Sequence, residues 1–207
     1  MNEPTVFIVD DDASVRRSLA RLMKSAGYRA ETFASAQEFL DSGRHRDGPG
    51  CLVLDIQMPG LNGLELQQEL TKFVPPLPVI FITGHGDIPM SVRAMKEGAV
   101  DFLPKPFQDN DILKAVAAAL DRNVRERLEC AEKQRIQEHV DTLTPREREV
   151  MALVVTGMLN KQVAAELGTT EKTIKVHRGR VMEKMQVGSL AALVRATEKV
   201  GLSARHL

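Results

Sequence analysis

The chain has 207 residues, two cysteines, and 28 basic against 28 acidic side chains. That length allows one or two domains. The two cysteines stand in unrelated settings, which excludes a disulfide framework or a cysteine-ligated metal centre. No run of about 18 apolar residues occurs, so no membrane span is expected. The N-terminal Met1-Asn2-Glu3-Pro4 lacks the basic and apolar stretches of a signal peptide, and the expectation is a cytoplasmic protein with reduced thiols and no membrane partner.

Short apolar segments over 5–9, 29–33, 51–54, 78–83 and 101–104 predict strands, and amphipathic segments near 14–26, 36–42, 62–72, 88–97 and from 109 onward predict the helices between them. Ser35 with Glu38 forms a capping box for the second helix. Alternating strands and helices predict a doubly wound α/β domain of five parallel strands, covered on both faces. Residues 110–140 read as one long polar helix, with Leu113, Val116, Leu120, Val124, Leu128 and Ala131 recurring every three or four positions. That stripe fits a solvated linker helix, and it also fits a short coiled coil between two copies of the chain.

Helical signals continue to the end. Thr144-Pro145-Arg146-Glu147 supplies an N-cap, a Pro at the first helical position and a capping-box Glu, with the helix running to about Val155. Asn160 is expected to cap a second helix that Gly168 ends. Thr170 caps a third, running to about Met185, and Ser189 caps a fourth. The charge shifts along the way, from 17 acidic and 14 basic residues through Arg125 to 7 acidic and 11 basic from Asp141 onward. Four short helices after a basic shift predict a small DNA-binding module.

The chemistry concentrates after the strands. Asp10, Asp11 and Asp12 follow Val6-Phe7-Ile8-Val9, Asp55 follows Cys51-Leu52-Val53-Leu54, and Lys105 follows Phe102-Leu103. Ligands of an open parallel sheet bind outside the carboxyl ends of its strands, so these side chains are candidates for one pocket. Clustered carboxylates suit a hard divalent cation with a phosphate as co-ligand. Asp12 is read apart from them, as a favourable charge at the start of the first helix.

Together with Asp55-Ile56-Gln57-Met58-Pro59-Gly60, Thr83-Gly84 and Lys105-Pro106-Phe107, this constellation resembles the receiver domains of bacterial response regulators over about residues 4–122. The resemblance implies the flavodoxin-like fold and the following roles. Asp55 would be the nucleophile that takes a phosphoryl group from a sensor histidine kinase. Asp11, Asp55 and the backbone carbonyl of Gln57 would ligate Mg²⁺, with Asp10 holding it through water. Lys105 would pair with the phosphoryl oxygens across a cis Lys-Pro bond, and Thr83 with the aromatic Phe102 would form the switch. His85, in the loop Gly84-His85-Gly86-Asp87, is assigned no chemistry.

In the third terminal helix, Ile174, Val181 and Met185 share one face, while Lys172, Lys175, Val176, Gly179 and Glu183 share the opposite one. Leu143-Thr144-Pro145-Arg146-Glu147 and Thr173-Ile174-Lys175-Val176-His177-Arg178 resemble the LuxR-type helix-turn-helix over 142–202, the output domain of NarL/FixJ-type regulators. The implied division is a receiver at 1–122, a helical linker at 123–141 and a four-helix DNA-binding domain at 142–207. Lys175 and Val176 would reach base edges, and Lys172, Thr173, Arg178 and Arg180 would touch phosphates. Leu190, Leu193, Val194 and Val200 of the fourth helix would supply a dimer contact.

The combined expectation is a transcription factor, active as a phosphorylated homodimer on double-stranded promoter DNA, that activates through RNA polymerase. Its only enzymatic chemistry would be its own phosphorylation and slow dephosphorylation. An external phosphohydrolase with an Asp nucleophile is the rival enzyme reading. Gln57 stands where the haloacid-dehalogenase relatives place a second acid, which argues against turnover. A ligand-controlled regulator with a vestigial pocket and an RNA-binding antiterminator are two further alternatives.

Overall fold

The computed structural model describes residues 3–44, 48–84 and 88–202; the loop around His85 lies outside them. The chain divides into two compact units, Met1–Leu128 and Glu129–Leu207.

The first unit alternates strand and helix: β1 (Thr5–Val9), α1 (Ala13–Ser25), β2 (Arg29–Phe33), α2 (Ala36–Ser42), β3 (Gly50–Asp55), α3 (Gly63–Leu70), β4 (Val79–Thr83), α4 (Ile88–Lys96) and β5 (Asp101–Pro104). Helix α5 (Asp109–Asp141) then runs unbroken for 33 residues. The five strands are all parallel, in the order β2-β1-β3-β4-β5, so chain direction across the sheet reverses between β1 and β3. That reversal opens a crevice at the carboxyl edge of these two strands.

The apolar runs explain the sheet. Every residue of β1, β3 and β4 is buried, as a strand covered on both faces requires. Successive side chains point to opposite faces. Phe7, Val9, Leu52, Leu54 and Phe81 pack with Phe39 of α2 and Leu66 of α3, while Val6, Ile8, Cys51, Val53 and Ile80 pack with Met23 of α1 and Val116 of α5. Cys51 is fully buried, and that burial drives its thiol pKa far upward; Cys130, on α5, is half-exposed.

The stripe read along α5 leaves the core after Leu120: Val124 is 37% and Leu128 63% exposed. Just before Val124, Asn123, unremarked in the sequence, is fully buried. Its Oδ1 accepts from the backbone N–H of Gly50 (3.0 Å) and from Nε of Arg127 (3.1 Å), and its Nδ2 donates to the Pro76 carbonyl at 3.4 Å. A buried amide with both ends partnered fixes where α5 sits on the sheet.

The second unit holds α6 (Pro145–Val155), α7 (Asn160–Glu166), α8 (Glu171–Lys184) and α9 (Leu190–Lys199). Its core joins Val140, Leu143, Val150, Met151, Val163, Ile174, Val181 and Leu193. The caps at Thr144, Thr170 and Ser189 each accept the expected backbone N–H. Asn160 corrects the expectation made for it. It is the first residue of α7 rather than its cap; Gln162 Oε1 accepts the Leu159 N–H at 2.8 Å, and the Asn160 Oδ1 is taken by Arg178 Nη1 at 3.2 Å. Leu193 is likewise corrected: it is fully buried within its own unit and unavailable to a second copy, whereas Leu190, Val194 and Val200 are half-buried. No helix of the described residues is long and apolar enough to cross a membrane.

Candidate functional site

The strand register builds the first site. Val9 of β1 lies opposite Leu54 of β3, so Asp10 and Asp55 emerge side by side at the carboxyl edge. Asp55 in turn lies opposite Ile82, and Thr83 opposite Pro104, which brings Thr83 and Lys105 to the same edge. One carboxylate oxygen from each of Asp10, Asp11 and Asp55 falls within 4.8 Å of the others. Lys105 Nζ donates to Asp10 Oδ2 at 2.7 Å and to Asp55 Oδ2 at 3.1 Å. The Lys105-Pro106 peptide bond is cis.

Exposure sorts these groups. Asp10 and Thr83 are fully buried, Asp55 is 7% exposed, and Asp11 faces solvent. Burial holds the Asp10 carboxyl above the usual carboxylate range, against the opposing pull of Lys105 and of the Asp12 N–H. Burial also pushes the Lys105 ammonium down, but hydrogen bonds and attraction from Asp10 and Asp55 override it and leave the amine raised. The pocket therefore has a protonated lysine among three carboxylates.

Neighbouring residues hold these groups in place. Asp10 Oδ1 accepts the Asp12 N–H, and Asp12 caps α1 by accepting the Ser14 N–H at 2.6 Å, as expected of an acid at a helix start. Arg16, which sequence reasoning missed, reaches back from α1 to the carbonyls of Asp10 (2.6 Å) and Asp11 (2.9 Å). Gly63 was also missed. A Cβ there would stand 2.5 Å from the Asp55 carbonyl oxygen, so only glycine lets α3 start against the Asp55 backbone. The Gln57 side chain is exposed, and the Gln57 backbone N–H donates to Asp55 Oδ1 at 3.4 Å. Phe102 is half-buried against the α2–α4 face of the sheet, opposite Phe81 in register. The donors around the acid cluster are hard oxygens converging at a partly open edge, which fits a divalent cation. Beside Lys105 an open groove of about 690 Å³ runs along α1, with Val15, Leu19, Leu22 and Phe107 in its lining.

The second site is α8. Ile174 and Val181 are buried beneath it, while Lys172, Lys175 and Arg180 are exposed and Val176 is 49% exposed. Thr173 and Arg178 are half-buried; the Thr173 hydroxyl shares a 2.9 Å hydrogen bond with Thr170. The Arg178–Asn160 bond ties α8 to α7. Behind it Lys184 Nζ donates to Glu147 Oε2 at 2.7 Å, which anchors α8 to the capping box of α6.

Two family models match, the response regulator receiver domain over residues 6–117 and the luxR family of bacterial regulatory proteins over 141–197. The chain belongs to the NarL/FixJ-type response regulators. The regulator is 53% identical over 201 residues to Nodulation protein W of Bradyrhizobium diazoefficiens, covering 97% of this chain and 88% of that protein. It is 42% identical to the transcriptional regulatory protein FixJ of Azorhizobium caulinodans, covering 96% and 93%. Among solved structures, response regulator StyR superposes with a TM-score of 0.85 at 48% identity, covering 96% of this chain and all of that one. Full-length FixJ from B. japonicum gives 0.58 at 40% identity, covering 98% and 99%. The regulator is thus a two-component protein with a DNA-binding output domain, in a family of transcription regulators rather than metabolic enzymes.

Proposed function

We propose that Asp55 accepts a phosphoryl group from a sensor histidine kinase and that this controls DNA binding by α8. The observation that carries the reading is the convergence of Asp10, Asp11, Asp55 and Lys105 at the reversal point of the sheet. An Asp55 carboxylate oxygen attacks phosphorus, the phosphorus–nitrogen bond to the kinase imidazole breaks, and an acyl phosphate forms. Asp11, Asp55 and the Gln57 carbonyl would hold Mg²⁺ directly and Asp10 through water. Bound there, Mg²⁺ supplies positive charge that offsets the repulsion between carboxylates and phosphoryl oxygens.

Lys105 then exchanges its Asp55 contact for a phosphoryl oxygen, a short move for a flexible ammonium. Thr83 donates its hydroxyl to another phosphoryl oxygen, and Phe102 follows into the space released. The groove along α1 would seat a kinase helix beside the acceptor. Phosphorylation shifts the chain toward a homodimer whose two α8 helices read successive major grooves of promoter DNA. Lys175 and Val176 contact bases; Lys172, Thr173, Arg178 and Arg180 contact phosphates. Arg178 carries a second duty, since it also braces α7. The regulator works in the cytoplasm as an activator that recruits RNA polymerase. Its receiver spans 1–122, its linker 123–141 and its output domain 142–207.

The test is phosphodonor treatment with Mg²⁺, followed by assay of acid-labile phosphate and of duplex binding. Wild type gains both, and Asp55→Asn gains neither. Phosphate-stimulated DNA binding that persists in Asp55→Asn overturns the assignment.

A further inference from the structure

The outward ridge of α8 is bare at its centre. At about 100° per residue, Lys172 and Glu183 fall on the midline opposite Ile174 and Val181, with Gly179 about 30° to one side of it. Lys175 and Val176 flank that midline on either side, one turn before Gly179. Nothing among the described residues calls for glycine there. Its φ is not in the left-handed region, and a Cβ built on it meets no atom within 4 Å. After proline, glycine is the poorest helix former, so α8 forgoes helical stability at an exposed interior position. A residue that neither its own backbone nor its neighbours explain points to what the helix is laid against.

Val176 is the other anomaly on this ridge. It is 49% exposed among charged residues. Its isopropyl group and the Gly179 Cα, three residues on, form an apolar notch bordered by Lys175 and Arg180. In the major groove the apolar feature of a base edge is the thymine 5-methyl group. We infer that Val176 and Gly179 form a notch that receives a thymine methyl, so that Gly179 sets base specificity through its missing side chain. This rests on the reading of α8 as the DNA-contacting helix.

Operator duplexes are first selected from random DNA with the phosphorylated full-length chain. Each thymine of the operator is then replaced singly by deoxyuridine, which removes only the methyl. Wild type should lose about fivefold in affinity at one such position per half-site. Gly179→Ala fills the notch with a methyl of its own. It should melt higher by about 4 °C, bind the thymine operator about tenfold more weakly, and recover most of that loss on the deoxyuridine duplex. Wild-type affinity of Gly179→Ala for the thymine operator overturns the notch, and so does an equal loss on both duplexes. A chain that enriches no duplex at all in the selection overturns the DNA reading itself, and the notch with it.

Discussion

Asp55 sits where three carboxylates converge and one ammonium bridges two of them, an arrangement that favours ligand capture over stability. At a few ångströms' separation near a protein surface, like charges repel by kilocalories. Asp55→Asn should therefore stabilise the first unit by about 1 kcal/mol without divalent metal. Millimolar Mg²⁺ should raise the melting temperature of wild type by several degrees, chelation should reverse that rise, and Asp55→Asn should lose most of it. A variant that melts lower than wild type in chelator would argue that Asp55 is mainly a structural partner of Lys105. These acids and the lysine were legible in sequence because each follows a short apolar run. Arg16 and Gly63 were not, because neither has a local signature. One is a helix arginine whose carbonyl targets appear only after the chain turns, and the other is a glycine defined by a backbone approaching from elsewhere.

Helices were legible through their caps, and the capping box of α6 shows how much one side chain can do. Glu147 is 2% exposed, accepts the Thr144 N–H at 2.9 Å, and takes the Lys184 ammonium from α8. Its hydrogen bond from Lys184, then that from the Thr144 backbone, lower its pKa to about 2 from the ordinary 4.5. A depressed acid contributes stability that is complete above the unfolded value and fades as pH falls toward the folded one. Stability of the second unit should thus decline between about pH 4.5 and 2. Glu147→Gln should be less stable at neutral pH by about 2 kcal/mol, with a shallower acid dependence, as read by thermal melts at pH 6 and pH 3. Identical acid slopes in the two proteins would remove Glu147 from the account. Asn160 marks the limit of cap reading. Asn is a good N-cap by chemistry, but here its oxygen serves an arginine eighteen positions later, a competition that sequence spacing does not reveal. The same holds for Asn123, a polar residue beside an apolar stripe that proved to be the buried anchor.

At the scale of the whole chain, the hydrophobic clusters of Met1–Leu128 and Glu129–Leu207 share no residue among those described. Units with separate cores unfold as separate cooperative blocks. Calorimetry should therefore show two transitions with independent levers. Mg²⁺ should raise only the one belonging to the acid pocket, and acid below about pH 4.5 should lower the one belonging to Glu147. A single transition that follows both levers would mean that the units fold as one. The five-stranded sheet, its strand positions and the four terminal helices were all visible in sequence, because apolar runs, periodicity and caps are local signals. Burial along α5 was not, because which side of a long helix is covered depends on where the sheet ends.

The contrast between the two thiols has a practical consequence. Cys51 is sealed inside β3, whereas Cys130 is half-exposed on α5, seven positions past the Asn123 anchor. A maleimide dye or nitroxide applied to the untouched native chain should thus attach once, at Cys130. The protein comes with its own single reporter position on the long helix α5, ready for fluorescence or spin-resonance experiments with no cysteine engineering.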